Sequence, residues 1–72
     1  MQGAAQITVM SFGEGRRELL VEPAEATIGE IIQKIGIDPN RRRIAVNGKK
    51  AVGTTTVEEG DLVTFVPKVV GG

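Results

Sequence analysis

The 72-residue sequence contains neither cysteine nor histidine. Without thiols it forms no disulfide, and without thiolate or imidazole groups it lacks the usual ligands of zinc sites. The same absence excludes a Cys–His dyad, a Ser–His–Asp triad and a histidine general base. We therefore expect a protein that is not an enzyme and that holds neither a metal ion nor a bound cofactor.

Excess charge and long hydrophobic runs are also missing. Nine basic residues balance nine acidic residues, so the formal net charge is zero and provides no global field for nucleic-acid phosphates. No apolar run approaches the roughly 20 residues of a membrane span, and no charged-then-apolar leader opens the chain. We expect a cytoplasmic protein that contacts no membrane and binds no nucleic acid directly.

The apolar residues that are present are mostly β-branched. Nineteen Ile, Val and Leu residues accompany only two Phe and no Trp or Tyr, which favours strands over helices. A chain of 72 residues forms one small domain. We expect this domain over residues 1–66, with residues 1–5 frayed, followed by a flexible tail over residues 67–72 that ends in Gly-Gly.

Five segments have the patterns of β-strands. They are residues 6–12, 17–22, 44–46, 49–52 and 62–66. The first and the last have apolar residues on both faces, which is more typical of central strands than of edge strands. Between the third and fourth segments, Asn47-Gly48 is the dipeptide preferred in two-residue hairpin turns.

One short helix is predicted after residue 27. Thr27 and Glu30 have the spacing of a capping box, and Gly36 fits the left-handed residue that closes a helix. Isoleucines occur at i, i+3, i+4 and i+7 along it, at Ile28, Ile31, Ile32 and Ile35. Strands and helix together predict an α+β fold, in which one helix packs across a mixed sheet of four to five strands.

The order of elements and four sequence segments resemble the ubiquitin-like β-grasp proteins. More narrowly, they resemble the ThiS/MoaD family of sulfur carriers and its small archaeal modifier relatives. The segments are TIGEII at residues 27–32, IAVNGK at 44–49, VEEGDLV at 57–63 and FVPKVVGG at 65–72. The first three are shared by many β-grasp domains, whereas the terminal Gly-Gly is the most specific.

This resemblance implies an activity centred on the carboxylate of Gly72. A ThiF/MoeB-like activating enzyme would use ATP to adenylate that carboxylate, and a sulfur donor would convert it to a thiocarboxylate. The sulfur would then reach thiamine, molybdopterin or a tRNA base, in some cases through a downstream synthase. In the modifier branch the activated carboxyl would instead form an isopeptide bond with the lysine of a target protein.

The composition of the tail suits threading into an activating enzyme. Glycine has no Cβ, so Gly71 and Gly72 allow an enzyme to grip the chain closely. Pro67 cannot donate to a strand ladder, so it is a reasonable place for the last strand to end and the tail to begin, with Lys68 next. Val69 and Val70 are expected to be docking anchors that a partner buries. The alternative interpretation is an ordinary frayed end.

Two other clusters have both a functional and an ordinary interpretation. Arg41, Arg42 and Arg43 fit either an acidic or phosphate-bearing partner or, more commonly, a solvated bend. The carboxylates in residues 58–61 fit either a hard cation or ordinary turn chemistry. The sequence thus leaves open a sulfur carrier, a protein modifier and a plain binding module, and also which sulfur pathway is served.

Overall fold

A computed structural model describes residues 3–13, 15–38, 40 and 42–68 of the chain. The strands are β1 (Ala5–Ser11), β2 (Gly15–Val21), β3 (Arg42–Val46), β4 (Lys49–Lys50) and β5 (Leu62–Pro67), and the α-helix is α1 (Ile28–Ile35). A 3₁₀ turn at Pro23–Glu25 precedes the helix. The predicted α+β fold is confirmed.

The five strands form one mixed sheet in the order β2-β1-β5-β3-β4. β1 and β5 lie parallel to each other at its centre, while β2 pairs antiparallel with β1 and β3 antiparallel with β5. The prediction that the first and last strands are central is therefore confirmed. The other three strands lie outside this pair, with β2 and β4 at the two edges of the sheet.

The fourth strand is shorter than the predicted segment 49–52, because only Lys49 and Lys50 pair with β3. The N–H of Ala51 still donates to the carbonyl of Ile44, at 2.9 Å. Beyond it, the Val52 N–H donates to the side-chain oxygen of Thr55 at 3.0 Å, so the chain turns away from the sheet. A local side-chain hydrogen bond thus replaces the next step of the ladder.

Helix α1 begins and ends where the sequence predicts. Thr27 is its N-cap, with an extended backbone, and its Oγ1 accepts the N–H of Glu30 at 3.4 Å. Gly36 has a φ of 76°, in the left-handed region, and its N–H donates to the carbonyl of Ile32 at 2.9 Å. Within the described part of the chain, no helix is long and apolar enough to cross a membrane.

The core lies between the helix and one face of the sheet. Ile28 and Ile31 of the helix are fully buried, as are Val63 and Phe65 of β5. The other buried apolar side chains are Ile7, Val9, Val21, Ile37, Ala51 and Val57. The isoleucine stripe is therefore core packing, and it stabilises a helix whose β-branched residues and Gly29 give it little intrinsic helix propensity.

Candidate functional site: the end of strand β5

The tail of the chain follows the most enclosed strand of the sheet. β5 pairs with β1 on one side and with β3 on the other, and its two inward side chains, Val63 and Phe65, are completely buried. The carbonyl of Phe65 also accepts the N–H of Phe12, at 3.2 Å. Since central strands open only with much of the domain, β5 gives the tail a firmly held base.

The structure places Pro67 as the last residue of β5, opposite Arg42 of β3. The strand is thus one residue longer than the predicted segment 62–66. Lys68 follows and is exposed. The remaining predicted tail residues, Val69, Val70, Gly71 and Gly72, lie outside the described residues, so their anchoring and activation stay predictions.

One side-chain contact spans the end of β5. Arg42 of β3 donates from Nη1 to the Oγ of Ser11 in β1, at 2.9 Å, and Ser11 is only 7% exposed. Because β1 and β3 are the two neighbours of β5, this bond joins them across the strand that leads to the tail. It helps to fix the position from which the tail leaves the domain.

Because of this bond, the two described arginines of the triplet at residues 41–43 differ in their surroundings. Arg42 is half-buried and has a structural contact, whereas Arg43 is exposed; Arg41 lies outside the described residues. A solvated bend is therefore an incomplete interpretation of the triplet. The spacing of Arg42 two residues before Ile44, a residue packed against the core, was the signal that it lies on the helix side of β3.

A groove of about 690 Å³ lies beside the end of β5. Four cationic side chains and three apolar ones line it, namely Arg42, Arg43, Lys50, Lys68, Ile44, Ala45 and Ala51. The group is not recognisable in the sequence, because its members are brought together only by the pairing of β3 with β4 and β5. A groove lined by both basic and apolar residues is suited to an acidic, partly apolar protein segment.

Carboxylates in residues 58–61 accept hydrogen bonds in and around the turn. Asp61 accepts the N–H of Glu58 through Oδ2 at 2.8 Å and the side-chain amide of Asn47 through Oδ1 at 2.9 Å. Glu59 Oε1 accepts the N–H of Gln6 at 2.9 Å. Among the described residues, no group of three or more carboxylates is placed to hold a metal ion. These contacts favour turn chemistry over a cation site.

Comparison with solved structures defines the class of the protein. The chain is similar to the structure titled Caldiarchaeum subterraneum ubiquitin, at 27% identity and a TM-score of 0.71 over 97% of this chain and 100% of that one. It also resembles the Haloferax volcanii HVO 2177 protein, at 18% identity and a TM-score of 0.76, over 97% and 89% of the two chains. The fold is the ubiquitin-like β-grasp.

The family follows from the sequence itself. The sequence model of the ThiS family matches residues 9–72, which include the Gly-Gly end, so the chain belongs to the ThiS family. No curated protein sequence matches the chain at a significant level. Proteins of this family are small carriers rather than enzymes, and membership implies an encounter with an activating enzyme. The resemblance expected from the sequence is confirmed.

Proposed function

We propose that this protein is a sulfur carrier whose Gly72 carboxylate is adenylated by a ThiF/MoeB-like enzyme and then converted to a thiocarboxylate. The observation that supports it is that a ThiS-family domain holds its C-terminal segment on a central strand, β5, paired on both sides. The chain would act in the cytoplasm as a co-substrate. ATP would be bound by the activating enzyme rather than by the carrier.

The chemistry requires the carboxylate to leave its own domain. A carboxylate is a poor electrophile, and it becomes reactive when an oxygen attacks the α-phosphorus of ATP, releasing pyrophosphate and forming an acyl-adenylate. A persulfide on the sulfur donor then attacks the acyl carbon and expels AMP. Reduction of the resulting acyl disulfide by a thiol leaves the thiocarboxylate at Gly72, for delivery to thiamine, molybdopterin or a tRNA base.

The length of the tail is consistent with this requirement. If residues 67–72 were extended, five steps of about 3.3 Å would place the Gly72 carboxylate roughly 17 Å beyond the end of β5. In an enzyme channel, Gly71 and Gly72 allow close contact on both flanks of the chain. Pro67, Lys68, Val69 and Val70 would occupy the outer part of that channel, where burial of each valine stabilises the complex by about 1.5 kcal/mol or more.

The test is intact-mass spectrometry after incubation with the ThiF/MoeB-like enzyme, ATP and a sulfur donor. We expect first an AMP adduct and then exchange of one oxygen for one sulfur at the C-terminus. A variant lacking Gly71 and Gly72 should show neither product while melting at the same temperature as the full chain. A tag fused after Gly72 should also block both steps. If the tagged chain still performs its function in the cell, that function does not need a free C-terminus, and the result would support a plain binding module instead.

A second function is supported by the likeness to the archaeal ubiquitin structure, which extends over 97% of this chain at 27% identity. In that case the activated Gly72 carboxyl would form an isopeptide bond with a lysine Nζ of a target protein. Cell lysates would then contain higher-mass conjugates that release Gly-Gly-modified lysines on digestion. Lysates that lack such peptides would exclude this role and leave sulfur transfer unaffected.

A further inference from the structure

The zero net charge of the chain conceals a separation of charge. At one end of the sheet, cations cluster around the point where β5 ends. This basic end consists of Arg16, Arg42, Arg43 and Lys68. The strand register brings them together, because Arg16 lies opposite Met10 near the end of β1, and Arg43 lies opposite Val66 near the end of β5.

Carboxylates gather at the other end of the sheet. This acidic end consists of Glu22, Glu58, Glu59 and Asp61. The N–H of Gly60, within the acidic turn, donates to the carbonyl of Gln6 near the start of β1. Glu22 directly follows Val21, which lies opposite Ala5 at the first step of the same strand. The two clusters are therefore at opposite ends of the central strands.

The separation is large enough to matter at physiological salt. β5 has six residues, and at about 3.3 Å per residue its ends are roughly 17 Å apart. This is about twice the Debye length of roughly 8 Å at physiological ionic strength, so an approaching macromolecule experiences the two ends separately. The basic end presents a positive field although the whole chain is neutral.

The basic end also borders an apolar surface. On the sheet face opposite the helix, Met10 is 36% exposed, and Phe12, which follows β1, is 60% exposed. Arg16 adjoins this surface, since it lies opposite Met10 in the ladder. An apolar centre with a charged rim is the arrangement typical of protein interfaces.

We propose that the basic end docks on an acidic surface surrounding the tail channel of the activating enzyme, so that charge steers the molecule tail-first into its partner. The inference rests on the proposed function for the identity of the partner. An acidic protein surface fits better than a nucleic acid, because an extended polyanion would also meet the carboxylates of the acidic end.

Two substitutions of equal charge change test the steering. Arg43→Glu reverses an exposed charge at the basic end, and Lys49→Glu reverses one at the far end of β3, also exposed. Association with the ThiF/MoeB-like enzyme is measured by stopped-flow at several salt concentrations. We expect Arg43→Glu to slow association about tenfold or more at low salt, with the difference shrinking as salt rises. Lys49→Glu should stay within about twofold of the unmodified chain.

The outcomes separate this inference from the proposed function. Equal effects of the two substitutions, or no salt dependence, would overturn the steering even if Gly72 is adenylated normally. Steered association without any adenylation would support the docking and refute the proposed activation. Thermal melting of both variants controls for folding.

An NMR titration gives a second test. A glutamate-rich peptide, rather than single-stranded RNA, should shift the amide resonances of the basic end. A preference for the RNA would overturn the inference.

Discussion

The turn between β3 and β4 is held to the start of β5 by the side chain of Asn47. Its amide donates to Asp61 Oδ1, and its Oδ1 accepts the N–H of Leu62, both at 2.9 Å. Its own N–H also donates to the carbonyl of Leu62, at 2.7 Å. Asn47 has a φ of 53°, the one positive value among the described non-glycine residues. The residue therefore combines a required backbone conformation with two cross-links to the strand that carries the tail.

Replacing Asn47 with alanine removes both side-chain hydrogen bonds and places a Cβ-bearing residue without a compensating polar group at positive φ. The two bonds are solvent-accessible, so their loss costs about 1–2 kcal/mol in total. The left-handed conformation adds about 1 kcal/mol for alanine. Asn47→Ala should therefore lower the free energy of unfolding by about 2–3 kcal/mol, a large part of the roughly 4–11 kcal/mol expected for a domain of this size.

Asn47→Gly separates the two contributions. Glycine loses the same two hydrogen bonds but adopts positive φ without strain, so its cost should be only about 1–2 kcal/mol. Both variants are compared with the unmodified chain by urea denaturation followed by circular dichroism. If alanine costs less than about 0.5 kcal/mol, the side-chain bonds do not stabilise the domain. If glycine costs as much as alanine, the conformational part of the reasoning is wrong.

Two further substitutions address single contacts. Thr27→Ala removes the N-cap of α1 and should lower the free energy of unfolding by about 1 kcal/mol, measured by urea denaturation; Thr27→Ser, which retains the acceptor oxygen, should recover most of it. Ser11→Ala removes the hydroxyl oxygen that accepts the hydrogen bond from Arg42 Nη1 and should cost about 1–2 kcal/mol. If the Ser11–Arg42 bond is the cause, Ser11→Ala should have little further effect in an Arg42→Ala background, whereas additive losses would contradict it.

The features that the sequence predicted correctly depend on neighbouring residues. Caps and turns are determined by residues within about four positions of one another. Three features are of this kind: the capping of α1 by Thr27, its termination at Gly36 and the turn at Asn47-Gly48. The central position of β1 and β5 was also predictable, because apolar residues on both faces of a strand require cover on both sides.

The features that the sequence did not predict depend on the register of strand pairing. The Ser11–Arg42 bond joins residues 31 positions apart, and the Asn47–Asp61 contact joins residues 14 apart. Neither contact can be predicted from the periodicity of the sequence. Periodicity does not fix which residues of two strands pair, and a one-residue shift in pairing would move these side chains to the other face of the sheet. The groove beside β5 was missed for the same reason, since Lys50 and Lys68 meet only through the pairing of β3 with its neighbours.

The charge separation shows why the net charge of the whole chain was a poor guide to its partners. A net charge of zero led to the expectation that the chain binds no nucleic acid directly, yet the field that any partner meets depends on charges within about one Debye length of the contact. The strand order places the arginines near the start of β2 and of β3 beside the end of β5. This is because β1 runs parallel to β5, whereas β2 runs antiparallel to β1 and β3 runs antiparallel to β5. The same topology sends the carboxylates before β5 to the opposite end. A central, C-terminal strand therefore gives the tail both a firm base and a positive surrounding, and it does so without any excess of positive charge in the composition.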